Sequence, residues 1–114
     1  MKVMRVPDNT VIADHVDVAR TLRSRITGLL GRAGLQRGEG LVLPRCNSIH
    51  TIGMRFAIDV IFVDRAWHVV ALRRNVGPGQ VLWPVLGASS VIELSAGVLE
   101  GINIERGHQL KLAA

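Results

Sequence analysis

Four side chains in this 114-residue sequence are of types and at spacings that could do chemistry: Cys46, His50, Asp59 and Glu93. A cysteine with a histidine is the least that thiolate catalysis needs, Cys46 as nucleophile and His50 as base. Their spacing limits that reading. Four residues of strand span about 13 Å at roughly 3.3 Å per residue, well beyond hydrogen-bond reach. On a helix the same spacing would bring the Cβ atoms to about 5–6 Å. Pro44 and Gly53 flank the segment, which reads as extended or irregular, so a direct pair needs a bend. The competing reading is a buried structural thiol and a histidine bonded to backbone.

Asp59 and Glu93 are each a lone carboxylate inside an apolar run, Ala57–Val63 and Val91–Leu94. A carboxylate carried into an apolar interior is costly unless it is paired or hydrogen-bonded. His50, Thr51, Arg55 and Ser95 are the nearby candidate partners. One expectation is structural: the carboxylates tie loops to a sheet through backbone N–H groups. The other is functional: they line a polar pocket at a sheet end, with shifted pKa values and an acid/base or ligand-orienting role. The expected binding residues are then His50, Thr51, Met54, Arg55, Asp59, Glu93 and Trp83, and the catalytic candidates Cys46, His50 and Asp59. Trp83 sits in a Gly/Pro-rich segment and reads as packing or as an exposed anchor. Cys46, His50, Asp59, His68 and His108 are possible metal ligands, but no HxxxH or CxxC spacing joins them. Neither a metal nor a cofactor is expected.

The elements that must position these residues are short. Val16–Val18 alternates with His15 and Asp17 and reads as a half-buried strand. Leu22, Ile26, Leu29 and Leu30 form one apolar stripe, predicting an amphipathic helix over Thr21–Arg32. Leu41–Leu43 is an apolar run stopped by Pro44. Ala57–Val63, apolar on both faces except at Asp59, predicts a central strand. Asp64-Arg65-Ala66 reads as a turn and Trp67–Leu72 as the returning strand. Asn75–Gly87 reads as a loop, Val91–Leu94 as a strand, Ser95–Gly101 as one helical turn, and Gln109–Leu112 as a strand closing a sheet. The fold class expected is mainly β: a compact sandwich or barrel of short strands with one amphipathic helix packed on it. Residues 1–14 read as an N-terminal lead or edge strand, and 15–114 as one domain.

Composition narrows the function. Aromatic residues are 4% of the chain with no Tyr, which removes the base-stacking platforms of most single-strand binders. Cys46 is the only cysteine, so no intramolecular disulfide forms. Lys2, Arg5, Asp8 and Asp14 break up the first residues, so no signal peptide and no membrane span is expected, and the expected location is the cytoplasm. Formal net charge is +5, from 12 Arg and 2 Lys against 9 acids. The arginines are dispersed; only Arg20 to Arg37 clusters, and it reads first as a solvated helix face.

Four segments carry a family pattern. They are Arg25-Ile26-Thr27-Gly28-Leu29-Leu30-Gly31-Arg32, then Gly40-Leu41-Val42-Leu43, then Ile49-His50-Thr51-Ile52-Gly53-Met54 running into Ile58–Asp64. The fourth is Val91–Gly97 with Gly101-Ile102 and Arg106-Gly107-His108. With these in order over about residues 15–112, the chain resembles the domain of unknown function 192 family of small bacterial and archaeal proteins, in a branch carrying Cys46 and His50. The resemblance implies a compact β-rich fold and no established activity.

Three functions are weighed. The leading one is a small-ligand-binding or accessory interaction module with a polar pocket near His50, Asp59 and Glu93, its partner an unidentified small molecule or protein. The alternative is a thiol-dependent enzyme using Cys46 and His50. The third, binding of an anion or nucleic acid through the Arg20–Arg32 helix, ranks last because no nucleic-acid motif accompanies the charge.

Overall fold

The computed structural model describes residues 1–21 and 29–114. In chain order the strands are β1 (Lys2–Val6), β2 (Thr10–Ala13), β3 (His15–Val18), β4 (Glu39–Pro44), β5 (Ile49–His50), β6 (Ile58–Val63), β7 (Val69–Val76), β8 (Val81–Leu82), β9 (Ser90–Ser95) and β10 (Gln109–Ala113). A short helix, α1 (Val98–Gly101), follows β9. The fold is strand-dominated, as the short β-branched runs and Gly/Pro punctuation predict. The helix expected over Thr21–Arg32 falls mostly on residues 22–28, which lie outside the described residues.

The larger sheet has the order β3-β4-β9-β6-β7. β3 and β4 pair in parallel, and the other neighbours are antiparallel. A parallel pair needs a long crossover, which residues 19–38 supply. β1 lies between β10 and β2 in a second, three-stranded sheet. Among the described residues β5 and β8 pair only with each other, as a two-stranded ribbon.

Every residue of β6 is buried, which requires cover on both faces of the larger sheet. One face carries Ile61 and Val63 of β6 and Ile92 and Leu94 of β9. They pack with Val3, Ile12, Ala13 and Leu110 of the smaller sheet and with Val98 and Leu99 of α1. The opposite face carries Ile58, Val60 and Phe62 of β6, Val91 of β9, and Leu41 and Leu43 of β4. These pack with Met54, while Ile49, Leu82 and Val85 of the ribbon region lie half-buried against them. The larger sheet is thus the middle layer, and the ribbon is part of its outer cover.

Three details differ from the sequence reading. β7 begins at Val69 rather than Trp67, because Trp67 has φ 65 and belongs to the turn. It then runs to Val76, with its ladder to β6 bulging opposite Asp59. The expected loop 75–87 contains β8, which holds that segment to β5. Residues 1–14 carry β1 and β2, and Val3 is wholly buried (0% exposed) in the shared core. Val3→Ala removes two packed methyl groups and leaves a cavity between the sheets. It is expected to lower stability by about 2 kcal/mol, read as a lower urea midpoint at unchanged m.

Candidate functional site

The sheet register separates the two carboxylates. β6 and β9 pair Asp59 with Leu94 and Val60 with Glu93. Directly paired residues share a face, and successive residues in a strand alternate. Asp59 therefore lies on the face of Ile61 and Leu94, and Glu93 on the face of Val60. The single polar pocket expected near His50, Asp59 and Glu93 is corrected accordingly: the thickness of the sheet stands between the two acids.

Asp59 is fully buried (0% exposed) and its lone pairs are taken by backbone. Oδ1 accepts from Asn75 N–H at 2.8 Å, and Oδ2 from Gly97 N–H at 3.1 Å and Leu99 N–H at 2.9 Å. Gly97 is the N-cap of α1 and offers no side chain to cap it. The carboxylate of β6 does that work from outside the helix, where negative charge is favoured. It also holds the β7 bulge at Asn75, whose φ of 51 is tolerated by asparagine. The structural expectation for Asp59 is the one met by its contacts.

Glu93 differs in every respect. It is 7% exposed, and among the described residues its carboxyl has no hydrogen-bond or ion-pair partner. It faces Val60 on one side and Leu41 on the other. Burial pushes its pKa from the ordinary 4.5 up to about 7.

The segment 46–55 meets the segment 77–88 through a set of backbone bonds. Thr51 is the clamp. It is fully buried; its hydroxyl donates to Gly77 C=O at 2.6 Å and accepts from Gln80 N–H at 2.9 Å, and its own N–H donates to Gln80 C=O at 2.8 Å. At the other end Val85 N–H donates to Asn47 C=O at 2.9 Å. Met54 is buried in the core. Thr51 and Met54 thus position the ribbon and present nothing to solvent, whereas His50 and Arg55 are exposed.

Two turns put aliphatic side chains into water. Met54 N–H closes onto Thr51 C=O with Gly53 at φ 88, and Ala88 N–H closes onto Val85 C=O with Gly87 at φ 88. Both fit a type II turn, whose third position needs a positive φ. Each places an aliphatic residue second, Ile52 or Leu86, and Leu86 is 99% exposed. Trp83 is 78% exposed, and Val81 is exposed beside it. His50, Ile49, Ile52, Val81, Trp83 and Pro84 line an open cleft of about 350 Å³. A second cleft, of about 300 Å³, lies across β8, where Trp83 and Pro84 face Arg73.

Cys46 lines a different groove from His50, and Ser48 borders both. The thiol donates to Ser48 C=O at 2.9 Å. No hydrogen bond joins Cys46 to His50 among the described residues, so the expected nucleophile–base pair is not assembled. Among the described residues no three His, Cys, Asp or Glu stand together as a metal site, and no helix is long and apolar enough to cross a membrane. The Arg20–Arg32 helix lies largely outside the described residues. Sequence reasoning missed Ile52, Val81 and Leu86; an aliphatic residue directly before glycine in a turn was the available signal for Ile52 and Leu86.

A model of the DUF192 family, described as uncharacterized ACR, matches residues 4–112. A UPF0127 protein from Thermococcus sibiricus is 35% identical over 100 residues, 84% of this chain and 64% of that protein. The chain therefore spans just under two thirds of that relative's length. Two crystal structures share the fold. One is a protein of unknown function from Novosphingobium aromaticivorans, with TM-score 0.81 and 21% identity over 98% of this chain and 84% of the other. The second, from Sinorhizobium meliloti, is provisionally described as a transcription regulator, with TM-score 0.82 and 17% identity over 96% of this chain and 91% of the other.

Two stability measurements separate the roles of the acids. Asp59→Asn puts an amide donor among three backbone donors and strands buried N–H groups; it is expected to cost about 3 kcal/mol or more in urea unfolding. For Glu93 the folded pKa of about 7 lies above the ordinary 4.5. The folded state then holds the proton more tightly than the unfolded chain, so stability is fully present below pH 4.5 and is lost as pH rises through about 7. The loss is about 3 kcal/mol at roughly 1.4 kcal/mol per unit. Glu93→Gln is expected to abolish that fall, leaving a variant more stable than the parent at pH 8. A urea midpoint that drops equally in both proteins between pH 5 and 8 would count against it.

Proposed function

The chain belongs to the DUF192 family, and we propose that it is a protein-interaction module whose binding face is the β5–β8 ribbon around Trp83. The observation that carries this reading is the exposure of Trp83 at 78%, with Ile52 and Val81 also in water and lining the same cleft. Such a patch on a soluble surface signals an interface.

The occupant best matched to the face is an acidic, extended peptide segment carrying apolar side chains. Among the described residues neither outer edge of the two-stranded ribbon carries a further strand, which suits addition of an extended partner. The clefts of about 350 and 300 Å³ flank Trp83 and suit alternate side chains of such a segment. Charge supplies the sign. Between Glu39 and Glu93 the chain has five arginines, at positions 45, 55, 65, 73 and 74, and only two carboxylates, Asp59 and Asp64. Asp59 is buried, and Asp64 is bound to the N–H groups of Ala66 and His68 in its own turn. Arg73 lines the cleft beside Trp83 and Arg55 is exposed at the end of segment 46–55, so the face carries guanidinium charge that favours an acidic partner. A thiol enzyme is disfavoured by the unpaired arrangement of Cys46 and His50. A cytoplasmic setting belongs to the same proposal, since Cys46 is a free thiol.

Fluorescence anisotropy with a labelled peptide of alternating Glu and Leu tests the proposal. The expected result is saturable binding that weakens with salt and falls about thirtyfold or more in Trp83→Ala, a hot-spot loss. A Lys–Leu peptide should not bind. Equal binding by Trp83→Ala overturns the reading. So does Trp83-dependent sedimentation with anionic vesicles, or Trp83-dependent dimerisation, in the absence of peptide binding.

A further inference from the structure

A third concavity borders the ribbon cleft at Ser48 and lies at the end of the larger sheet where β4 and β6 stop and β7 and β9 begin. It is a groove of about 700 Å³ between residues 44–48, the β6–β7 turn and residues 88–90. Its walls are tied together by backbone: Cys46 N–H donates to Ser89 C=O at 3.0 Å, and Ser89 N–H to Val63 C=O at 2.8 Å. We infer that this groove is a binding site for a small phosphate monoester with a planar ring, held by Arg45, Arg65 and the Ser48, Ser89 and Ser90 hydroxyls with its ring on Trp67.

Four observations support the assignment. The volume falls in the range of small-molecule sites. The lining holds two guanidinium groups, three hydroxyls and the Asn47 amide, and no carboxylate. That is a donor-rich set, and a phosphate has more acceptor sites to satisfy it than a carboxylate does. Arg65 is exposed and has no carboxylate partner among the described residues. Trp67 packs one side against the core yet also lines the groove, which makes it a fixed, half-exposed platform for a ring. Finally, the described residues include four non-glycine positions of positive φ. Two are asparagines, which tolerate that region; the others are Arg45 at 52° and Trp67 at 65°, and both line this groove. Strained backbone of that kind persists where a side chain must be aimed.

Cys46 makes the site measurable, because it is the sole cysteine and lines the groove. The experiment titrates the parent protein with phenyl phosphate, inorganic phosphate and phenol by calorimetry, and follows iodoacetamide alkylation of Cys46 in parallel. The expected result is saturable binding of phenyl phosphate, about tenfold tighter than inorganic phosphate, with phenol silent and alkylation slowed at saturation. Arg65→Ala should raise the Kd about tenfold or more, and Arg65→Lys should recover part of the loss. No saturable binding at millimolar phenyl phosphate overturns the inference. So does binding that leaves Cys46 alkylation unchanged, or an Arg65→Ala variant that binds as the parent does. Trp83→Ala should leave this binding intact, which separates the groove from the ribbon.

Discussion

The carboxylate of Asp59, buried in the middle strand of the middle sheet, is the interaction on which the rest of the architecture leans. One carboxyl side chain satisfies three backbone donors from two separate pieces of chain. Those donors have no other partner in regular structure: two belong to the start of α1 and one to the bulge of β7. Hydrogen bonds to a charge are worth more than neutral ones, and more still away from water. The acid is therefore not an intruder in the apolar run of β6. It is what allows β9 to end, α1 to begin and β7 to bulge without stranding backbone groups in the core. Val98 and Leu99 of α1 can then close the apolar layer against the smaller sheet.

Glu93 shows that position in a strand, and not residue type, sets the role of a buried acid. It sits one register step from Asp59 on the neighbouring strand, yet the alternation of the pleat turns it to the opposite layer. There it meets Val60 and Leu41 instead of helix and bulge N–H groups, and burial alone raises its pKa to about 7. Asp59 is well supplied with donors, whereas Glu93, among the described residues, has desolvation without a partner. The pair accounts for why a shared acidic pocket is geometrically impossible in this sheet.

Much of the fold was legible in the sequence, for stated reasons. Ala57–Val63 announced a doubly covered strand by being apolar at both parities, and β6 is buried at every residue. The lone acids were recognised as needing partners, and Asp59 has them. The face each would occupy was not legible, because the face depends on register against β9, which period-2 patterning in one strand does not specify. The ribbon was hidden for a related reason. β5 and β8 are two residues each, too short to print any period, and they are held by the Thr51 clamp and not by propensity. Thr51 and Met54 were grouped with the binding residues because they neighbour His50 in the chain. Alternation and the turn at Gly53 send them inward and leave His50, Ile52 and Arg55 outside.

The same logic places both candidate surfaces at loops carried on the middle sheet. A sheet covered on both faces has only its ends and its outer cover left to meet a partner. At one end the chain turns from β4, β6 and β9 gather Arg45, Arg65, Trp67 and three serines around one groove. On the outer cover the ribbon lifts Trp83 and Val81 clear of the core while Ile49 and Leu82 anchor it to Phe62 and its neighbours. The overall charge of +5 explained little when spread along the sequence. It acquires meaning from the fold, which sets Arg73 beside Trp83 and lines the other groove with Arg45 and Arg65, while Asp59 is buried and Asp64 is bound in its own turn. A field of one sign over apolar and aromatic surface selects anionic partners by steering as well as by contact. That constraint is imposed by where the carboxylates went: Asp59 into the core to build the fold, and Asp64 into its own turn.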